Sequence, residues 1–207
     1  MPIKAFPPVE RANEYGLVAV GGDLHPQTLV LAYQSGIFPW PLQERTPIPW
    51  FSPDPRGVLE FEDLRISKSF QKFLKKTNFS ITYNQCFEEV ISHCAFSSTR
   101  KDGQGTWITQ ELLEAYITFH QQGYAYSVEV WDEHEIVGGL YGVDLGNGIF
   151  TGESMFAKES NASKVAFISF IQNTDYKLID CQVYTNHLAS LGAEDIPRDT
   201  FLKLLRG

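Results

Sequence analysis

Residues 151–183 constrain this chain most. A strand (TGESMF), a helix opened by NASK and a second strand (KLIDCQV) follow one another, and both strands carry polar groups inside apolar runs. In the second strand Asp180 and Gln182 stand two apart, so a β conformation points both side chains to one face and turns Cys181 to the other. A carboxylate and an amide side by side on a largely apolar strand are costly to bury unless something hydrogen-bonds them. On the residues alone the pair reads either as a satisfied structural network or as part of a site. Glu153, a second acid in an equally apolar setting (IFTGESMF), adds weight to the site. The expectation is a polar group at the mouth of an aromatic pocket.

Composition bounds what that site can serve. At 207 residues the chain is long enough for one full core, or for one core and a small satellite domain. With 43% hydrophobic and 20% charged residues it is an ordinary globular sequence, and the 14% aromatic content suits either a ring-rich core or a pocket for apolar ligands. A net charge of -8 excludes a protein that coats nucleic acid with its whole surface, but leaves room for one basic patch or a cationic partner. Three scattered cysteines (Cys86, Cys94, Cys181) fit a reducing compartment without a disulfide framework. His93-Cys94 is too isolated to ligate a metal, so no metal is expected. The start MPIKAFPPVER has no signal pattern and no apolar run spans a bilayer, so a cytoplasmic protein is expected and no membrane partner.

Residues 1–62 read as a small domain rich in proline and aromatics. Pro26 and Gly36 bracket a short helix over 26–35. The runs GIFPWP and IPWFSPDPR then hold Trp40, Trp50 and Phe51 on stiff backbone, either as a packing wedge or as a rim that stacks a ring. Residues 63–207 read as the larger domain. It opens on an amphipathic helix, 65–76, with Ile66, Phe70, Phe73 and Leu74 on one stripe and Lys68, Lys72, Lys75 and Lys76 opposite. Such a charge run is commonly a solvated face; isolated in an acidic chain, it also suits a phosphate backbone. Then come a strand at 79–83, a helix at 85–95, the loop SSTRKDGQGTW and a helix at 110–122 capped by Thr109. Strands at 124–131, 136–143 and 148–153, a helix at 161–172, a strand at 176–183 and a final helix at 197–205 complete the order. The pattern is α+β, one sheet backed by helices.

Taken together, GGDLHPQTLVLAYQSGIFPW, PWFSPDPRGVL, GTWIT, GESMF with NASK, and LIDCQ with HLASLGAEDIPR resemble the bacterial leucyl/phenylalanyl-tRNA protein transferases over nearly the whole chain. The resemblance implies a catalytic domain with the fold of the GCN5-related N-acyltransferases behind a small family-specific domain. It implies transfer of Leu or Phe from aminoacyl-tRNA to proteins beginning with Arg or Lys, marking them for degradation, with no cofactor. By motif it assigns Asp180 and Gln182 as the catalytic pair and Glu153 as an acid at the acceptor or aminoacyl site. It gives Trp40 and Trp107 the terminal adenosine and aminoacyl group. Leu140, Phe150, Met155, Phe167 and Phe170 become the side-chain pocket, and Lys68, Lys72, Lys75 and Lys76 the contact with the tRNA acceptor stem.

The chemistry such a site needs is modest. The donor ester is already activated, and an α-amine of pKa near ~8 is partly deprotonated at neutrality. Positioning can then supply most of the rate, with Gln182 orienting the amine and Asp180 receiving or stabilising the departing proton. An acyl-CoA transferase of the same fold would want a glycine-bearing pyrophosphate loop where this chain reads FAKESNASK. A non-catalytic module for RNA or protein N-termini would keep the lysines without needing Asp180 and Gln182.

Overall fold

In a computed structural model of the protein, residues 2–41, 46–96 and 107–207 are described. Residues 97–106 of the expected loop SSTRKDGQGTW therefore lie outside the described residues. The N-terminal part contains β1 (Leu17–Val20), α1 (Pro26–Gln34), β2 (Phe38–Pro39) and β3 (Pro49–Phe51). The three strands form an antiparallel sheet in the order β1-β3-β2. Next come β4 (Arg56–Glu60), α2 (Lys68–Leu74), β5 (Ser80–Tyr83), α3 (Phe87–Phe96), α4 (Gln110–Gln121) and the meander β6 (Ala125–Asp132), β7 (Glu135–Asp144), β8 (Ile149–Ala157). The chain ends with α5 (Ala162–Asn173), β9 (Leu178–Gln182), α6 (Asn186–Ala189), β10 (Glu194–Ile196) and α7 (Arg198–Arg206).

One mixed sheet of seven strands, ordered β10-β4-β9-β8-β7-β6-β5, carries helices on both faces. Leu29, Phe87, Ile91, Leu112, Tyr116 and Phe201 bring α1, α3, α4 and α7 into one apolar cluster. Phe70, Val165, Phe167 and Phe170 bring α2 and α5 into a second, over Leu140, Phe150 and Ile179. The α+β expectation holds. The boundary expected after residue 62 falls too late, because β4 is hydrogen-bonded between β10 and β9 inside the large sheet. Val58 and Leu59 are both buried, so β4 has none of the alternation that would have marked it as a strand. The N-terminal sheet also shares its core, through Phe38, Ile48 and Trp50, with α3 and α4.

Caps set the helix limits. Thr109 accepts from the Leu112 amide at 3.2 Å, as expected. Ser67 does the same for Phe70 at 3.2 Å, so α2 begins at Lys68 and ends at Leu74. The expected helix over 65–76 is thus shorter, with Ile66, Lys75 and Lys76 beyond its ends. The four lysines are exposed, Phe70 is buried, and Phe73 and Leu74 are half-buried, as an amphipathic segment requires.

Two irregularities shape the sheet centre. Between β7 and β8, Tyr141 pairs with Ser154 and Gly142 with Gly152, leaving Glu153 as an extra residue in β8. Parallel β8 and β9 pair only from Ile149 and Leu178 to Thr151 and Asp180, whereas β8 continues to Ala157. The strands part there, and a cavity opens between them. A Cβ on Gly142 would lie 2.3 Å from the Thr151 carbonyl oxygen and 2.5 Å from the Phe150 ring. Gly142→Ala is therefore expected to lower stability by about 1–3 kcal/mol, read as a drop of several degrees in thermal melting.

Candidate active site

The cavity between β8 and β9 measures about 290 Å³. Leu140, Phe150, Met155, Phe167, Phe170 and Ile179 line it on the α5 side, and Trp40, Glu153, Gln182, Thr185 and His187 bring the N-terminal part, β8 and the segment after β9 to it. Phe150 and Met155 are five residues apart and would face opposite ways in a regular strand. The bulge at Glu153 brings both to the same wall. Of the residues expected at the site, Trp107 is not part of this lining, but its ring lies 5.7 Å from that of Trp40. Asp180 does not line the cavity either.

Asp180 is buried behind Gln182 with both oxygens engaged. Arg56 Nε donates to Oδ1 at 2.7 Å and Nη2 to Oδ2 at 2.7 Å; the Gln182 amide adds 3.0 Å to Oδ1 and the Thr151 hydroxyl 3.3 Å to Oδ2. Arg56 is itself buried, donating to the Gly36 carbonyl at 3.2 Å and standing between the rings of Phe38 and Phe201 at 4.8 and 4.6 Å. This pairing is bidentate and enclosed by aromatic faces.

Gln182 carries the link from Asp180 to the cavity. Its φ of 63° is left-handed, a conformation that costs about 1–3 kcal/mol for a residue of this kind and persists where surroundings enforce it. Opposite it, Gly57 approaches so closely that a Cβ there would meet the Tyr184 amide at 2.8 Å. The Gln182 side chain leaves the ladder and donates from Nε2 to Glu153 Oε1 at 2.7 Å. Tyr33 also donates to Oε1 at 2.8 Å, Tyr116 donates to Oε2 at 3.4 Å, and the two hydroxyls touch each other. Burial pushes the Glu153 carboxyl up to about 8; the Tyr33 and Tyr116 hydroxyls and Arg56 pull it down, and Asp180 opposes them. That value favours the protonated form of Glu153 at neutral pH.

Cys181 packs toward α5 and away from Arg56, as strand parity predicted, and burial raises its thiol far above the ordinary range. It contributes to the wall of the cavity. His187, at the rim, has its proton affinity lowered by burial and by the charge of Lys164. Arg56, Thr151, Tyr33 and Tyr116 went unassigned in the sequence, where they stand far from LIDCQ and GESMF. A lone Arg before an apolar triplet was the one available signal for Arg56. Among the described residues no cluster of side chains suited to a metal ion occurs, and no helix is long and apolar enough to cross a membrane.

A sequence profile of the leucyl/phenylalanyl-tRNA protein transferases matches residues 58–206, and that of their N-terminal domain matches residues 22–54. This chain belongs to that family. A transferase of that name from Flavobacterium johnsoniae is 55% identical over 97% of this chain and 95% of its own length. Those of Christiangramia forsetii and Myxococcus xanthus are 52% and 51% identical, over 99% and 97% of this chain and 97% and 86% of their own. A solved protein of unknown function from Bacteroides thetaiotaomicron aligns over 67% of this chain and 55% of its own at 14% identity and a TM-score of 0.44, too slight a likeness to bear on the fold.

The buried ion pair makes a sharp expectation. Arg56→Met leaves the Asp180 carboxylate unpaired in the core and should cost about 3–5 kcal/mol. Combining it with Asp180→Leu should recover much of that loss in denaturant unfolding while transfer activity stays low, because Gln182 is no longer held.

Proposed function

We propose that this chain transfers leucine or phenylalanine from an aminoacyl-tRNA ester to the α-amine of proteins that begin with Arg or Lys. The observation that carries this reading is the two-sided cavity, an apolar wall facing a Gln182–Glu153 edge, in a chain that shares the family's sequence almost end to end. A branched aliphatic or phenyl side chain suits the wall formed by Leu140, Phe150, Met155, Phe167 and Phe170, and Met155 is pliant enough for either. The paired rings of Trp40 and Trp107 suit the terminal adenosine. The acyltransferase-like fold implied by the motifs finds support in the parallel β8 and β9, which part beside a reactive centre, with α5 crossing between them.

Gln182 has one free function in this arrangement. Because Nε2 is committed to Glu153, Oε1 is left to accept from the incoming amine. The amine nitrogen attacks the ester carbon, the bond to the ribose oxygen breaks, and the proton passes to that departing oxygen. Asp180, with both oxygens occupied, acts by holding the Gln182 backbone and Arg56; this is a narrower role than proton acceptor. Glu153 lies where the cationic side chain of an N-terminal Arg or Lys is neutralised, and ionises as that cation arrives. The exposed lysines of the α2 segment suit the acceptor stem, and the acceptor proteins are thereby marked for degradation in the cytoplasm.

Transfer of labelled Leu from charged tRNA to an Arg-starting peptide tests the reading; no transfer, or full transfer by Gln182→Ala, sinks it. Because Glu153 is neutral below about 8 and ionised above, affinity for an Arg-starting peptide should rise from pH 6 to pH 8. Glu153→Gln should flatten that rise in a binding titration. Phe170→Ala, which removes a wall of the cavity, should raise KM for both charged donors roughly tenfold or more, and unchanged values would refute the pocket assignment.

A further inference from the structure

Lys164 stands in the first turn of α5, part of the NASK motif that the proposed mechanism leaves unused. A cation at a helix N-terminus runs against the helix dipole, and α5 has no acid in that turn to offset it. Its ammonium lies over the Phe70 ring at 5.5 Å, on the inner side of α2, whose outer side presents Lys68 and Lys72. One turn further along α5, Phe167 lines the cavity, and the charge of Lys164 lowers the proton affinity of His187 in the same lining. Among the described residues no carboxylate lies within ion-pair distance of it, in a chain with 25 acidic residues against 17 basic ones. Among the described residues Lys164 is therefore a cation without an ion-pair partner, set between the exposed lysines of α2 and the α5 residues that wall the cavity.

We infer that Lys164 binds a backbone phosphate of the donor's single-stranded 3′ end, steering the terminal nucleotide from the α2 lysines into the cavity. The inference rests on the donor reading above and adds a site to it. The Phe70 face holds the ammonium in place without neutralising it, and the helix dipole adds to the attraction for an anion. Lys68 and Lys72 on α2 are exposed, and the acid that precedes α5, Glu159, is exposed and forms no ion pair with Lys164.

The test compares three phenylalanyl donors with the wild type, Lys164→Met and Lys164→Arg. One donor is the 3′ ester of adenosine, which has no phosphate. The second is the same ester on a cytidylyl-cytidylyl-adenosine trinucleotide, and the third is charged tRNA. Methionine keeps an apolar stem over Phe70 and removes only the charge. Lys164→Met should raise KM for the trinucleotide and tRNA roughly tenfold, the worth of one charge-assisted hydrogen bond, and leave KM for the adenosine ester within about twofold by the same measure. Lys164→Arg should restore both phosphate-bearing donors. An equal rise for all three donors would reveal a packing role, and no rise for any would remove the contact; either result overturns the inference. Wild-type protein that uses none of the donors would overturn the transferase reading itself, and this proposal with it.

Discussion

The pairing of Arg56 with Asp180 is the interaction on which the rest of the site depends. A buried guanidinium and a buried carboxylate are each expensive to remove from water, and are tolerated only when their geometry satisfies nearly every donor and acceptor. Here the fork is bidentate, and the remaining capacity goes to Gly36, Thr151 and the Gln182 amide. The pair therefore joins β4, β8, β9 and the turn after α1 at one point. An apolar pair of similar volume would stabilise the fold as well, but would not place a left-handed glutamine at the edge of a cavity.

From that anchor the polar network runs outward in one direction. Asp180 holds Gln182, Gln182 reaches Glu153, and Glu153 gathers the hydroxyls of Tyr33 and Tyr116 from two helices on the same face. Glu153 is available for this because the β7–β8 register skips it. The same skip turns Met155 toward Phe150 on the opposite face, so one irregularity builds both the polar edge and the apolar wall. The apolar wall and the carboxyl that Gln182 reaches are thus set by neighbouring residues of β8.

Much of this was legible from the residues. Thr109, Pro26 and the hydrophobic periodicities located helices to within a few residues, because capping and amphipathicity are local properties. Asp180, Gln182 and Glu153 stood out because acids and amides in apolar strands demand partners. Their partners did not stand out. Arg56 is 124 residues from Asp180, and it sits on a strand buried on both faces after a proline-dense run that reads as loop. The boundary drawn after residue 62 was misplaced for the same reason.

The amino-acid sequence by itself determined α1, the order of elements from β5 to β9, the basic segment with its apolar stripe, and which polar residues would need to be satisfied, since each follows from spacing along the chain. Only the tertiary structure decided that Asp180 faces Arg56 and not the cavity, that β8 and β9 separate after Thr151 and Asp180, and that Phe150 and Met155 share a wall. Those outcomes depend on register and close backbone approach between distant segments. Such approach is governed by packing in three dimensions, which a one-dimensional pattern of residues does not encode locally.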